Sequence, residues 1–413
     1  MAWTLPPDSD AAQARAGRAL ALLGALCFFL SAVEHLIPRP LPFMRIGLAN
    51  MPLLLALGLL RPRQYFALAL LKLAGQGLIG GTFLSFIFLF SAAGTLSSAL
   101  AMYALSRLPG IARPGLAGIG CAGAMVSNGA QLFMARFFVF GEAARYLAPP
   151  FLAAGFVSGI ALGLACERFR RRSLWIAWLS GEEVERPSGE PEAASPQMTT
   201  ARAKRRGDSL APDALFAAGL LAALAFLWDR SLAGHLAQFL FFCLLAALSG
   251  RRINFAATAI FVAGVVFFNL LAPQGRVLLE LGPLSVTQGS LLLGLERAIT
   301  LSGLMLISKL AVRSDLRLPG RAGALLAQTL RLLERMAPFA ERARARRPRG
   351  EAGLVRAIDG MLFELQSRDD SAAALDAAPE KPRRGLRRFL LPALFVALTA
   401  AIGLAARLLP LPF

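Results

Sequence analysis

The chain has 413 residues, of which 56% are hydrophobic and only 17% are charged, and its mean hydropathy is +0.58. Soluble domains carry about a quarter of charged residues, so this composition excludes an ordinary soluble protein. The formal net charge of +19 would also suit a nucleic-acid-binding protein. The arginines, however, cluster at the ends of apolar blocks and in two polar segments. We therefore expect the lipid bilayer, and no nucleic acid, as the partner.

Six apolar segments follow one another in the first 172 residues, and each predicts a membrane-spanning helix. They lie at about 19–37, 47–60, 65–80, 83–105, 115–140 and 146–167. Arginines fall at alternate ends of these segments, in four clusters that begin at Arg15, Arg61, Arg107 and Arg168. Because positive residues stay on the cytoplasmic side, both ends of this first membrane module, residues 1–172, are predicted to be cytoplasmic.

Residues 173–212 differ in character from the segments around them. They have low hydrophobicity, several prolines and mixed charge, as in the stretch EEVERPSGEPEAASPQ. Such a composition is typical of a flexible linker, and the flanking topology predicts that this linker is cytoplasmic. It marks a boundary between two membrane modules.

The second membrane module, residues 213–413, contains five further apolar segments. They lie near 213–228, 231–249, 254–272, 289–311 and 389–409. Arg251 and Arg252 mark the cytoplasmic side, so the C-terminus is expected outside. The sequence thus predicts an all-α polytopic membrane protein of a bacterial-type inner (cytoplasmic) membrane, with a six-helix bundle followed by a module of about five helices.

A long polar insert, residues 313–388, separates the last two spans and is predicted to be cytoplasmic. Its first part, AGALLAQTLRLLERMAPFAERARARR, indicates an amphipathic helix with a basic end. The apolar positions at helical spacing are Leu325, Leu326, Leu330, Leu332, Leu333 and Met336. Residues 353–367 predict a second helix. Such helices suit either an anionic lipid surface or a groove of a cytoplasmic partner, and the sequence favours neither.

The sequence contains no recognisable catalytic constellation. It has no GxxxxGK[ST], GxSxG or HExxH motif. The only adjacent aspartates, Asp369 and Asp370, lack the third aspartate of the DDxxD pattern that binds diphosphate through magnesium. Two histidines and four isolated cysteines do not form a metal-binding pattern. We therefore predict no catalytic residue, no metal and no cofactor, and a protein that is not itself an enzyme.

Polar side chains at membrane depth are costly and tend to face a bundle interior or a cavity. In the first module they lie among many glycines, which let helices approach closely. We predict a cavity that opens outward and holds a small solute, and its basic members favour an anionic or phosphorylated group. The candidate residues are Glu34, Arg45 and Asn50 at the mouth, and Lys72, Gln76, Asn128 and Gln131 deeper. The alternative is that the amides only join neighbouring helices by hydrogen bonds.

Two motifs in the first module carry a family resemblance. They are IPRPLPFMRIGLANMPLLLAL at residues 37–57 and VSNGAQLFMA at residues 126–135. Over about residues 19–170, the chain resembles the Gx transporter family, which is also described as heptaprenyl diphosphate synthase component I. Members resemble the substrate-binding S components of energy-coupling-factor importers. This resemblance implies a solute-binding module, whereas the synthase description implies a different function.

The second module is similar to the transmembrane T component of the same importers, most clearly over residues 291–336. In that family, cytoplasmic helices end in short Ala-Arg-Gly-like motifs that insert into grooves of an ATPase pair. The nearest matches here are the imperfect ones at residues 345–347 and 349–350. The resemblance implies a partner-coupling role for five arginines: Arg331, Arg335, Arg344, Arg346 and Arg349.

Three functions remain open from the sequence. The leading hypothesis is a membrane subunit of an energy-coupling-factor-type importer, which binds a vitamin- or micronutrient-like solute and works with separate cytoplasmic ATPase subunits. The alternative is a membrane-associated, accessory component I of a heptaprenyl (polyprenyl) diphosphate synthase. A structural or electron-transfer scaffold is less attractive, because the chain has few Cys and His ligands.

Overall fold

The computed structural model describes residues 10–36, 47–109, 113–182, 212–229, 231–250, 255–281, 284–312, 320–346, 350–372 and 387–408. These residues are almost entirely helical, which confirms the predicted all-α class. The stretches long and apolar enough to cross a membrane are Gly17–Glu34, Phe86–Ser106, Leu116–Arg172 and Gln288–Ala311. Four shorter apolar helices accompany them. The chain is therefore compatible with a multi-pass membrane protein.

The first module contains seven α-helices within its described residues, extending to residue 182. They are α1 (Asp10–Leu36), α2 (Met51–Ala56), α3 (Pro62–Gly80), α4 (Phe86–Ser106), α5 (Leu116–Ala135), α6 (Ala144–Arg172) and α7 (Leu174–Leu179). A 3₁₀ turn, Leu48–Asn50, precedes α2, while a π-helical turn, Arg136–Phe140, and a 3₁₀ turn, Gly141–Ala143, join α5 to α6.

The second predicted span is much shorter than expected. Pro52 lies in the first turn of α2, and Gly58 follows its end with a φ of +77°. At about 1.5 Å per residue the six residues of α2 extend about 9 Å, against a hydrocarbon core of about 30 Å. Residues 47–60 therefore form a turn and a short buried helix instead of one long membrane helix. The chain still returns along the bundle here, because α1 and α3 run in the same direction, with Gly24 beside Leu71 and Ser31 bonded to Gln76.

The second module has its helices close to the predicted positions. They are α8 (Pro212–Trp228), α9 (Leu232–Leu248), α10 (Phe255–Leu270), α11 (Gln288–Ala311), α12 (Gly320–Arg346), α13 (Gly350–Ala372) and α14 (Arg387–Leu408). An antiparallel hairpin joins α10 to α11, with strands β1 (Val277–Leu281) and β2 (Leu284–Thr287).

The amphipathic helices of the insert pack on the first module. Leu326, Leu332 and Met336 of α12 are buried in one hydrophobic core together with residues of α1, α3 and α7. The other three predicted apolar positions of α12 are partly buried against the same core. The apolar face that suited lipid or a separate partner is thus covered by this chain itself, a contact between distant segments that no local pattern reveals.

Glycines set the closest helix contacts of the first module. A Cβ at Gly163 of α6 would lie 2.5 Å from Ala117 Cα and 2.5 Å from the Leu116 carbonyl oxygen of α5. A Cβ at Gly159 would meet Gly120 O at 2.8 Å. Backbone atoms cannot move aside as flexible side chains do, so α5 and α6 touch only because these positions lack a side chain.

Replacing Gly163 by alanine tests this packing. We expect Gly163→Ala to destabilise the protein by about 1–3 kcal/mol, as overpacking does, and to lower its melting temperature in detergent. Gly129→Ala, in α5, is the matched control, because nothing lies within 4 Å of a Cβ there and alanine favours the helix. Equal melting temperatures for the two variants would contradict the close contact.

Candidate functional site

Helix α4 lies at the centre of a network of hydrogen-bonded polar side chains inside the first module, here called the polar seam. Its members are Ser31, Lys72, Gln76, Ser91 and Thr95. Thr95 Oγ1 of α4 accepts a hydrogen bond of 3.1 Å from the ammonium of Lys72 on α3. One turn away, Ser91 Oγ donates to Gln76 Oε1 at 3.0 Å. Gln76 Nε2 in turn donates to Ser31 Oγ of α1 at 3.4 Å. The seam therefore joins α1, α3 and α4 through neutral hydroxyls and amides around one buried cation.

Asn50 and Lys72, placed by the sequence at the mouth and deeper in the cavity, are in direct contact. Lys72 Nζ donates to Asn50 Oδ1 and is 4% exposed. An isolated buried ammonium is costly, and hydrogen bonds to oxygen acceptors reduce that cost. Asn50 thus helps to hold Lys72 in place within the bundle.

Glu34 acts on the turn that carries Asn50. Its Oε1 accepts a 3.0 Å hydrogen bond from the backbone N–H of Gly47, and the carboxyl group is buried. Gly47 has a φ of +86°, which favours glycine, and it begins the 3₁₀ turn that ends at Asn50. Glu34 is therefore a positioning residue for Asn50 in this structure.

Asn128 and Gln131 share one side of α5 by spacing, but their amides meet different helices. Asn128 Nδ2 donates to Phe151 O of α6 at 2.8 Å. Gln131 Nε2 donates to Ser127 Oγ at 3.1 Å and lies beside Gly94 of α4, where a Cβ would be only 2.5 Å away. Since α5 lies between α4 and α6, only Gln131 reaches the polar seam.

Several seam residues were not among the sequence-based candidates. Ser31, Ser91, Thr95 and Ser127 all bond to candidate residues. The run SAAGTLSS at residues 91–98 was the available signal, because it places small and hydroxyl residues on one helix. Arg45 lies outside the described residues. No group of three His, Cys, Asp or Glu side chains in the described ranges is arranged to hold a metal ion.

The structure describes side chains for only two of the five candidate coupling arginines, Arg331 and Arg335. Arg331 is exposed on α12, on the side away from the buried Leu332. Arg335 is half-buried, and its Nη1 is buried without a hydrogen-bond partner among the described residues. Arg344 and Arg346 lie on α12 with only their backbone described, and Arg349 lies outside the described residues.

A polar contact, here called the clamp, joins α13 to the corner between α6 and α7. Asp359 accepts hydrogen bonds from Ser173 Oγ and, at 2.8 Å, from the backbone N–H of Leu174. Gln366 Oε1 accepts from the indole of Trp175 at 3.2 Å. The first residues of the predicted flexible linker thus form an ordered corner, while residues 183–211 lie outside the described part.

The clamp buries a carboxyl group outside the membrane-spanning segments. Burial raises the pKa of Asp359, and the hydrogen bonds from Ser173, Leu174 and Trp175 oppose that rise. Hydrogen bonds to a charged acceptor contribute about 1.5–3 kcal/mol each. Removal of the carboxylate would leave buried donors unsatisfied, so this contact is costly to break.

A second contact, here called the turn junction, joins the α3–α4 turn to the second module. Ser308 Oγ of α11 donates to Gly81 O at 2.7 Å and accepts from the Leu84 N–H at 3.0 Å. The Phe83 ring packs edge-on against Phe216 of α8, with 6.1 Å between the ring centroids. One neutral hydroxyl and two aromatic rings contribute to this junction, and Lys309 of α11 lies beside Gly81.

The α5–α6 connection also meets the second module. Asn269 Nδ2 of α10 donates to Val139 O at 3.0 Å, and Arg297 Nη1 of α11 donates to Asn269 Oδ1 at 2.9 Å. Arg297 Nη1 also lies 3.3 Å from Val139 O. The π-helical turn supplies this carbonyl, because its widened winding takes residues out of the regular α-helical hydrogen-bond pattern.

Substitution of Thr95 tests the role of the seam. Thr95→Val keeps the shape but removes an acceptor of the buried Lys72 ammonium, so we expect a loss of about 1–3 kcal/mol in stability. Ser97→Ala on the same helix is the control, because among the described residues Ser97 Oγ bonds only to carbonyls of its own helix, at 2.6 and 3.2 Å. Melting temperatures in detergent measure both, and an equal loss would contradict a specific role for Thr95.

Comparisons with known proteins agree with part of the family resemblance. Residues 23–169 match the family model described as heptaprenyl diphosphate synthase component I. Residues 214–314 match a model described as a domain of unknown function, DUF8519, so the likeness of the second module to a T component stays a prediction. No curated protein and no solved structure matches the chain. The first module is thus similar to that membrane-associated synthase-component family.

Proposed function

We propose that the chain is the membrane subunit of an energy-coupling-factor-type importer in a bacterial-type inner membrane, with its N-terminus cytoplasmic and its C-terminus outside. The first module binds a small vitamin- or micronutrient-like solute at the polar seam. The second module passes on the motion of separate cytoplasmic ATPase subunits. The observation that carries this proposal is the direct packing of the insert helices on the seam-bearing bundle.

A short chain of contacts connects the insert to the seam. At Gly24 of α1, a Cβ would lie 3.0 Å from Thr329 Cγ2 of α12 and 2.5 Å from Leu71 Cδ2 of α3. Leu71 directly precedes Lys72, which bonds to Asn50 and Thr95. A displacement of α12 is therefore transmitted through α1 to α3 and its buried cation. The Lys72 ammonium supports an anionic group on the solute.

The exposed side of the insert suits a partner. Arg331 on α12 and Arg356 on α13 are exposed, whereas the opposite side of α12 is buried on the first module. Arginine pairs readily with carboxylates in protein interfaces. We propose that this side contacts the ATPase subunits through five arginines. Arg331, Arg335, Arg344 and Arg346 belong to α12, and Arg349 follows it in the sequence.

The turn junction supports an orientation, here called tipped, in which the predicted outer end of the first module is turned towards the cytoplasmic side. The orientation in which that end faces outward is here called upright. The predicted topology puts the α3–α4 turn outside and the end of α11 at Ser308 in the cytoplasm, yet the two are hydrogen-bonded. Arg297 and Ser308, which both contact this end of the first module, are 11 residues apart on α11, about 16 Å at 1.5 Å per residue. The predicted outer end of the first module thus lies along α11, towards its cytoplasmic end.

An importer that takes solute from outside needs a second orientation in which that end faces outward. We propose that the upright orientation collects the solute and the tipped one delivers it. The two orientations differ in which side of the membrane the α3–α4 turn faces.

The alternative function is an accessory, membrane-associated component I of a heptaprenyl diphosphate synthase. The description of the matching family model favours it as much as the importer. Its discriminating test is chain elongation in membranes, which must then require this polypeptide together with a partner that carries DDxxD.

The importer proposal is tested by native mass spectrometry and affinity capture of the full chain from its own membranes. We expect retained solute and co-purified ATPase subunits. Asn50→Ala and Gln131→Ala should weaken solute retention by about tenfold each, because one lost hydrogen bond of about 1.4 kcal/mol is a factor of ten. Ser97→Ala is the control. If the purified chain carried no solute and no ATPase subunit, the proposal would be refuted. Retention equal to that of the unchanged protein in Asn50→Ala and Gln131→Ala would leave these two amides only a packing role.

The tipped orientation is tested by labelling a cysteine in the α3–α4 turn. We expect Thr82→Cys to react with a membrane-impermeant maleimide from both sides, in right-side-out and in inside-out vesicles. Leu108→Cys is the control, since its exposed side chain follows α4 on the predicted cytoplasmic side and should react only in inside-out vesicles. Labelling of Thr82→Cys from outside alone would contradict the tipped orientation.

A further inference from the structure

We propose that His235, in the first turn of α9, is a proton-binding site of the second module. Its imidazole is 4% exposed and lies where α8, α9 and α11 meet. Ionisable side chains are rare inside membrane bundles, and those that occur tend to mark a proton or ion pathway. This site is separate from the solute-binding role proposed for the first module.

The Nε2 atom of His235 has to carry a hydrogen. It lies 3.1 Å from the Phe226 carbonyl oxygen, and a carbonyl oxygen only accepts hydrogen bonds. Phe226 belongs to the last turn of α8, which ends at Trp228, and the carbonyls of a last turn have no partner within their own helix. His235 supplies the donor that this carbonyl needs, so the neutral ring carries its hydrogen on Nε2.

The Nδ1 atom of His235 faces a hydroxyl group that already acts as a donor. Thr300 Oγ1 of α11 is 3.5 Å from Nδ1, and it donates its one hydrogen to the Glu296 carbonyl oxygen at 2.8 Å. In the neutral ring, the lone pair of Nδ1 would face the lone pairs of this hydroxyl. A second proton on Nδ1 turns the same contact into a hydrogen bond. The imidazolium form therefore satisfies both ring nitrogens.

Three neighbouring groups favour a positive charge on this ring. The carbonyl end of a helix attracts cations, and Phe226 O lies at that end of α8. The centroid of the Phe226 ring is 4.9 Å from that of the imidazole, and aromatic rings attract cations at such distances. The Asp229 carboxylate packs against Gly234, the residue before His235, where a Cβ would be 2.0 Å from Oδ2. Each group stabilises an imidazolium more than a neutral ring.

The helices packed around the site bring few other charges to it. On α11, Glu296 and Arg297 precede Thr300 by about one turn, and the Arg297 guanidinium donates to groups of α10 and of the α5–α6 connection. On α14, none of the side chains described, at residues 390–406, is charged. Arg230, which follows Asp229, lies outside the described residues. Among the described side chains near the ring, the positive charge of Arg297 is thus already bound to other partners.

Loss of the proton from His235 would be passed on to α11. The Thr300 hydroxyl would then have to leave the Glu296 carbonyl and donate to Nδ1, because a buried lone pair needs a donor. Glu296 directly precedes Arg297, which donates to Val139 O of the first module. The predicted topology puts the turn between α8 and α9 outside. The site therefore connects the external pH to the helix that contacts the first module.

Nitrogen NMR of the histidine rings tests the proposal on the full chain in lipid nanodiscs. The chain has two histidines, so His35→Gln leaves the ring of His235 as the only histidine signal. We expect a neutral ring with its hydrogen on Nε2 at high pH. Both nitrogens should become protonated as the pH falls from about 8 to 5, the range in which histidine changes its charge. If His35→Gln does not fold, the signals that His235→Gln removes from the unchanged chain identify the same ring.

Two substitutions test the proposed partners of the proton. Thr300→Val keeps the shape but removes the acceptor of Nδ1–H, and it should lower the midpoint of the His235 titration by about one pH unit. Asp229→Asn should lower the midpoint as well, because it removes a negative charge near the ring. Ser249→Ala, at the other end of α9, is the control and should leave the midpoint unchanged, since among the described residues Ser249 Oγ bonds only to Leu245 O of its own helix, at 2.7 Å.

Three results would overturn the proposal. The first is a His235 ring that keeps one charge state throughout this pH range. The second is a neutral ring with its hydrogen on Nδ1, which contradicts the hydrogen bond to Phe226 O. The third is a midpoint that Thr300→Val and Ser249→Ala leave equally unchanged. Because no solute and no ATPase subunit takes part in these measurements, their outcome is independent of the importer proposal.

Discussion

The packing of α12 on α1 is the contact on which the rest of the arrangement depends. Gly24 removes a side chain at the point where α1 meets both Leu71 of α3 and Thr329 of α12. Three helices therefore share one core, and the polar insert contributes side chains to the interior of the first module. The apolar face of α12 is satisfied within the chain, and Arg331 is exposed on another side of the same helix.

The polar seam follows from the cost of an ammonium in an apolar bundle. Lys72 needs oxygen acceptors close by, and Asn50 and Thr95 supply them. Asn50 reaches this position because Glu34 fixes the N–H of Gly47, where the backbone turns with a positive φ. One charged residue at the end of α1 thus determines the geometry around another in α3, and a solute that binds here meets a preorganised set of donors and acceptors.

Sequence reasoning predicted the positions of the long apolar helices, which depend on local pattern. It missed the features that depend on contacts between helices distant in sequence. Helices α8 to α11 lie within one or two residues of the predicted spans, because a long apolar run is a local property. Residues 47–60 do not form one long helix, because Pro52 and Gly58 limit α2 to six residues. The partner of the α12 face and the separation of Asn128 from Gln131 depend on which helices become neighbours, and no spacing within one helix encodes that.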